Sequence, residues 1–288
     1  VLENFDFGVV GTGFATSGRL QPGGETEMTI APTAPIAPDE KTQEFYVDAL
    51  STLDDAGISY AVGGGYAMAH YTGIARNTKD LDIFVCESEH RRVLEVLGMR
   101  GYRTEYFYPF WIAKALCGES FIDILYNSGN GLCVVDPTWF EKTEPFDLHG
   151  YSTRLIPAEE QLWSKAFVQD RDRYDGADVA HLILGRGKRF NWERLIRRFK
   201  GHERVLMAHL VLFGYVYPSE TDCIPDHVMH RVSTLIANEK PWREKVCRGP
   251  NIAQKGYLVD VHEFGFADAR LKPYGPLTRE EISQFPES

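Results

Sequence analysis

The chain has 288 residues, 43% of them hydrophobic, and a formal net charge of −10. That balance argues against sequence-blind binding to nucleic acid, which depends on Lys and Arg neutralising phosphates, but it leaves room for a local basic face. No apolar run approaches the ~20 residues needed to span a bilayer. The first residues lack a basic stretch followed by an apolar one, the pattern of a secretory leader. Five scattered cysteines with no CxxC pair point to reduced thiols and a cytoplasmic setting.

Residues 1–38 are rich in Gly, Thr and Pro without sustained periodicity, and read as a flexible arm. Phe7 to Gly13 resembles the start of a dinucleotide fingerprint, but no crossover helix follows it. Asp39 to Ala56 is predicted as an amphipathic helix bearing Phe45, Leu50 and Leu53, ended by Gly57. Ile58 to Val62 is a short buried strand. Gly63, Gly64 and Gly65 follow it, and Tyr66 to Tyr71 reads as a short helix. Asp80 to Val85 is a second strand, opening with two carboxylates.

Beyond it, Glu87 to Met99 reads as a helix. Tyr102 to Tyr106, Trp111 to Leu116 and Phe121 to Leu125 read as successive strands. Val134 to Phe140 is a short helical crossing and Tyr151 to Ile156 a last strand. From Pro157 the pattern turns helical, over Glu159–Gln169, Ala177–Leu184 (ended by Gly185), Asn191–Phe199, Glu203–Tyr215 and Pro225–Asn238. Lys240 to Ser288 reads as an irregular tail. The expected fold is therefore α+β: a mixed sheet over 39–156, a helical domain over 157–239 and the tail.

In a strand, residues i and i+2 share a face. Asp80 and Asp82 therefore project together, and Leu81 and Ile83 project the other way. Paired carboxylates repel unless a cation lies between them, and an all-oxygen ligand set suits a hard ion such as Mg²⁺. The glycines allow close backbone approach, and helix N-terminal N–H groups suit phosphate. Asp123 stands among apolar residues, sharing a face with Phe121 and Leu125, so it requires a partner.

A glycine pair after a strand, a short helix and Arg-x-Thr-x-Asp-x-Asp together resemble the DNA polymerase β-like nucleotidyltransferases, in particular the small bacterial AbiEii-type members. Gly64 and Gly65 match the glycine pair, and Arg76, Thr78, Asp80 and Asp82 match the block. Asp123 matches the third carboxylate. The resemblance implies transfer of a nucleoside monophosphate from an NTP to an acceptor hydroxyl, with two Mg²⁺ ions on the carboxylates. It also implies that a helical lysine, here Lys165, reaches the triphosphate together with the glycines.

Other DxD enzymes, such as haloacid-dehalogenase-type phosphatases and glycosyltransferases, place the acids after an apolar run. Here the apolar run follows them. A non-enzymatic reading stays open, that of a nucleotide-binding or antitoxin-regulated module without turnover.

Asp175 and Asp178 are expected to cap the next helix. Arg186 to Arg204 carries eight Lys/Arg against two Glu. A solvated helix face explains this stretch without any function, and the functional reading is a docking surface for RNA. The acceptor is otherwise RNA, a protein hydroxyl or a small molecule.

Overall fold

The computed structural model describes residues 38–78 and 80–284. The expected arm therefore lies outside the described residues except for Pro38, as does the Phe7 to Gly13 stretch. Asp39 opens the first helix, α1 (Glu40–Asp55), by accepting a hydrogen bond from Thr42 N at 3.1 Å. Phe45, Ala49, Leu50 and Leu53 recur at helical spacing and bury one face of α1.

β1 (Tyr60–Val62) is buried along its whole length. α2 (Gly64–Thr72) begins at the second glycine, two residues ahead of the predicted start. β2 (Leu81–Val85) sets Leu81 and Ile83 into one side of the core. α3 (His90–Arg100) follows a single 3₁₀ turn, and the strands β3 (Arg103–Tyr108), β4 (Ile112–Cys117) and β5 (Ser120–Leu125) follow as predicted to within two residues. The expected crossing at 134–140 is only a 3₁₀ turn, Pro137–Phe140.

β6 (Glu144–Leu148) was not expected, and it forms a hairpin with β7 (Tyr151–Leu155). It carries Pro145 and two acids, a composition that disguises a strand. β6 lies at the edge of the sheet, where proline is tolerated.

The seven strands run in the order β3-β4-β5-β2-β1-β7-β6. β2 pairs parallel with β5, β1 pairs parallel with β7, and the other pairs are antiparallel, giving the mixed sheet of an α+β fold. The β2–β5 register sets Asp82 directly beside Asp123, and the β4–β5 register sets Lys114 on the other side of Asp123.

The helical layer comprises α4 (Ala158–Ala166), α5 (Gly176–Arg186), α6 (Trp192–Arg198), α7 (Glu203–Val216) and α8 (Asp226–Ala237). Gly185 was expected to end α5, yet the helix continues through it. A Cβ at Gly185 would stand 2.5 Å from Tyr71 O, so the glycine permits α5 to cross closely over α2. One buried cluster extends from Phe45 to Val232 and joins the sheet to these helices.

Arg194 and Arg198 turn inward, with Nε atoms 2.8 and 2.9 Å from the buried Glu160 Oε1. Arg198 also pairs with Asp136 at 2.8 Å, Arg204 with Glu239 at 2.7 Å, and Arg186 with Glu144. Much of the basic stretch is thus committed to ion pairs, and Arg194 and Arg198 do not belong to a solvated face.

The tail also differs from expectation. Among its described residues, β8 (Val246–Cys247) pairs parallel with β9 (Ala267–Asp268). Arg270 is buried against Asp268 with Nη2 to Oδ2 at 2.7 Å. Arg248 fastens the segment to the α6–α7 turn through Gly201 O at 2.5 Å and His202 Nδ1 at 2.9 Å.

Burial, with Arg248 beside it, pushes the His202 pKa down to about 4. An unfolded histidine titrates near 6.5. The unfolded chain therefore binds the extra proton first, so this contribution to stability is present above pH ~6.5 and is lost as the pH falls toward 4. His202→Gln keeps an acceptor for Arg248 and removes the titration. Urea denaturation at pH 7.5 and pH 5 should show a larger loss on acidification for the native protein than for the variant.

Candidate active site

The buried run Tyr60-Ala61-Val62 delivers the chain to Gly63, whose N–H donates to Asp82 O at 3.0 Å. This bond ties the start of α2 to β2. Gly64 adopts φ +54, and a Cβ there would lie 1.6 Å from Asp82 Oδ2. The space expected to admit a phosphate at this position is thus filled by the Asp82 carboxylate. A Cβ at Gly65 would lie 3.1 Å from the Thr78 side chain, a far milder approach. Gly63 supplies no side-chain cap to α2, so among the described residues the first-turn N–H groups of this helix are left for an anionic ligand.

A cleft of about 510 Å³ is lined by Gly64, Gly65, Thr78, Asp80, Asp82, Asp123 and Lys165. Alternation along β2 and β5 brings Phe84 and Leu125 to the same wall. Thr78 Oγ1 donates to Asp80 Oδ1 at 2.9 Å and so orients that carboxylate. The Asp82 pKa is pushed up to about 7, first by burial and then by the charges of Asp80 and Asp123.

Asp123 is only 8% exposed, and its pKa is raised because burial outweighs the opposing effect of Lys114. Lys114 Nζ lies 2.6 Å from Asp123 Oδ1 and 4.0 Å from the centre of the Phe121 ring. The sequence reading missed this lysine, although its place in Ile112-Ala113-Lys114-Ala115-Leu116 gives it the face opposite to the alanines. The partner that Asp123 requires is therefore Lys114 in this structure.

The expected capping roles of Asp175 and Asp178 are also corrected. Asp175 stands at the N-terminus of α5 but makes no cap hydrogen bond. Both acids instead hold Lys165, at 3.0 and 2.8 Å. Arg173 joins Asp175 at 3.2 Å, and Arg76 joins Asp178 at 2.6 Å. Arg76 is thus outside the cleft lining among the described residues, unlike the other residues singled out with it. Asp175, at a pKa below the usual carboxylate range, remains ionised despite its burial because Lys165 and Arg173 flank it.

Two unlike walls result. On one, Asp80, Asp82 and Asp123 stand against the single Lys114. On the other, Lys165 and Arg173 stand with Asp170 and Asp175. The first has negative charge in excess, and the second brings two cations, both held by Asp175. Hard oxygen donors with an unrelieved mutual repulsion fit a divalent cation such as Mg²⁺. Among the described residues these three carboxylates do not all bring an oxygen within 4.8 Å of one another, as the exposed-to-buried trio Glu220, Asp222 and Cys223 does with its ligand atoms.

The tail supplies the remaining side of the cleft, with Pro250, Asn251, Ile252, Gln254 and Arg270. Asn130 Nδ2 donates to Asn251 O at 2.8 Å, and Gln169 N donates to Ile252 O at 3.0 Å. These bonds fix the tail to both banks of the cleft. Periodicity could not reveal this wall, because it is made by irregular backbone.

Gly64→Ala should lower stability by about 1–2 kcal/mol from the positive φ alone, and it should also drive Asp82 from its position. Gly65→Ala should change stability far less. Urea denaturation of the two variants checks the contrast.

Residues 46–124 match the family described as aminoglycoside-2''-adenylyltransferase. No curated protein matches the chain. Among solved structures, the antibiotic-resistance factor ANT(2'')-Ia is 16% identical, with 60% of this chain and 98% of that one covered and a TM-score of 0.42. A nucleotidyltransferase-like protein from Paracoccidioides brasiliensis is 16% identical, covering 66% and 98%, at 0.41. The lincosamide adenylyltransferase LnuA, with lincomycin bound, is 20% identical, covering 50% and 96%, at 0.34. No helix among the described residues is long and apolar enough to cross a membrane. The matched stretch contains Gly64, Gly65, Asp80, Asp82 and Asp123.

Proposed function

We propose that the protein is a metal-dependent nucleotidyltransferase that moves a nucleoside monophosphate from an NTP to a hydroxyl of a small molecule, releasing pyrophosphate. The observation that carries this reading is that three carboxylates and the cations Lys165 and Arg173 line one cleft, an arrangement that suits a metal-bound triphosphate. In this reading residues 39–156 form the nucleotidyltransferase unit and residues 157–239 the helical unit, with the cleft between them.

The open N–H groups of Gly64 and Gly65 receive phosphate, and Lys165 and Arg173 neutralise it from α4 and the segment after it. Asp80 and Asp82 would hold Mg²⁺, with Thr78 orienting Asp80. When bound, Mg²⁺ supplies charge neutralisation at the attacking and leaving oxygens. The acceptor oxygen forms a bond to the α-phosphorus, and the bond to the pyrophosphate oxygen breaks. Asp123, whose pKa is raised by burial, takes the acceptor's proton. Arg76 acts at one remove, by holding Asp178 against Lys165.

The match to an aminoglycoside-modifying family supports a small-molecule acceptor. The inward-turned Arg194 and Arg198 weigh against RNA, and no observation supports an antitoxin partner or the AbiEii-type affiliation beyond the motif itself. All five cysteines are free, which accords with a reducing cytoplasm. One observation favours a module without turnover: Asp123 is tied to Lys114.

The test is pyrophosphate release from each NTP with Mg²⁺ in the presence of tobramycin, lincomycin or total RNA. A small-molecule acceptor should raise release, and RNA should not. Asp123→Asn should leave NTP affinity unchanged and lower turnover by ~10²–10⁴-fold. Full turnover in that variant would remove Asp123 from the mechanism, and NTP binding without release under any condition would favour the silent module.

A further inference from the structure

Gln161 has no role in the chemistry described so far. It is 1% exposed and lines the cleft from α4. Lys165 lies four residues further on, so the two side chains share one face of the helix. Gln161 Nε2 donates to Gly64 O at 3.4 Å. That bond fixes which end of the amide is which, because only the NH₂ end can face a carbonyl. The other end, Oε1, is buried and has no hydrogen-bond partner among the described residues.

A buried carbonyl oxygen without a partner is unfavourable, and an apolar side chain of similar shape would avoid the penalty. Its position therefore points to a ligand that completes it. A phosphate oxygen cannot do so, because both atoms are acceptors. A hydroxyl can. Gln161 stands between Gly64 and Lys165, the two groups that bracket the triphosphate in the proposed function. The O–H donors nearest the phosphates of a bound nucleotide are those of its own sugar.

We propose, resting on that function, that Gln161 Oε1 accepts a hydrogen bond from a ribose hydroxyl of the bound nucleoside triphosphate, so that the cleft selects ribonucleotides over deoxyribonucleotides. Gln161 is thus a specificity-determining residue, and its bond to Gly64 couples sugar recognition to the turn that seats Asp82.

The experiment is calorimetric titration of the full chain with ATP, 2'-deoxy-ATP and 3'-deoxy-ATP, each with Mg²⁺ and no acceptor. The native protein should bind ATP about tenfold more tightly than at least one deoxy form, the ratio that a single hydrogen bond supplies. Gln161→Met, close in shape, should bind ATP only as tightly as it binds that deoxy form, so that the preference is lost. Equal affinity of the native protein for all three nucleotides overturns the inference alone and needs no variant to fold. Retention of the preference by Gln161→Met overturns it as well. Failure of all three to bind overturns the proposed function, and this inference with it.

Discussion

Asp82 is half-buried beside two other carboxylates, and that constraint orders the rest of the site. Burial penalises the charged form, and Asp80 and Asp123 add to the penalty, so the carboxyl is pushed up to about 7. A protein built for stability alone would replace such a group with an apolar one. Here the fold secures it twice over. Gly63 N–H holds the Asp82 carbonyl, and the missing Cβ of Gly64 leaves room for its carboxylate. The glycines therefore shape the acid first, and the uncapped N-terminus of α2 is left beside it as a place for an anion.

Charge separation across the cleft follows from chain topology. The carboxylates come from neighbouring parallel strands, β2 and β5, whose register pairs Asp82 with Asp123. The cations come from α4 and from the segment before α5, on the far bank. Asp175 and Asp178 hold Lys165 at the cleft, and Asp175 also pairs with the more exposed Arg173. The tail then closes the cleft from a third direction and is held there by Asn130 and Gln169.

The sequence disclosed the parts of this arrangement that depend on local order. Alternation placed Asp80 with Asp82 and isolated Asp123 among apolar residues, and the structure brings all three to one cleft. The mixed sheet and the helical layer were likewise legible, because their elements carry clear periods. Partners distant in sequence were not. Nothing local distinguishes Asp175 and Asp178 as holders of Lys165 from helix caps, nor Arg76 as a partner of Asp178. Lys114 could have been found by pairing its strand against β5 in register. The basic run of 186–204 looked like a surface because Glu160, which receives Arg194 and Arg198, lies more than thirty residues upstream. The tail's wall lacks periodicity, and β6 was obscured by Pro145 at an edge where proline does no harm.

The account rests on the claim that the two walls were built for a metal-bound triphosphate. Titration of ATP into the native protein with Mg²⁺ and again with EDTA tests it most directly, with Asp82→Asn measured in parallel. Binding should require Mg²⁺ in the native protein and should weaken sharply in the variant, with both proteins folded by circular dichroism. Equal ATP affinity with and without Mg²⁺, unchanged in Asp82→Asn, would contradict the account.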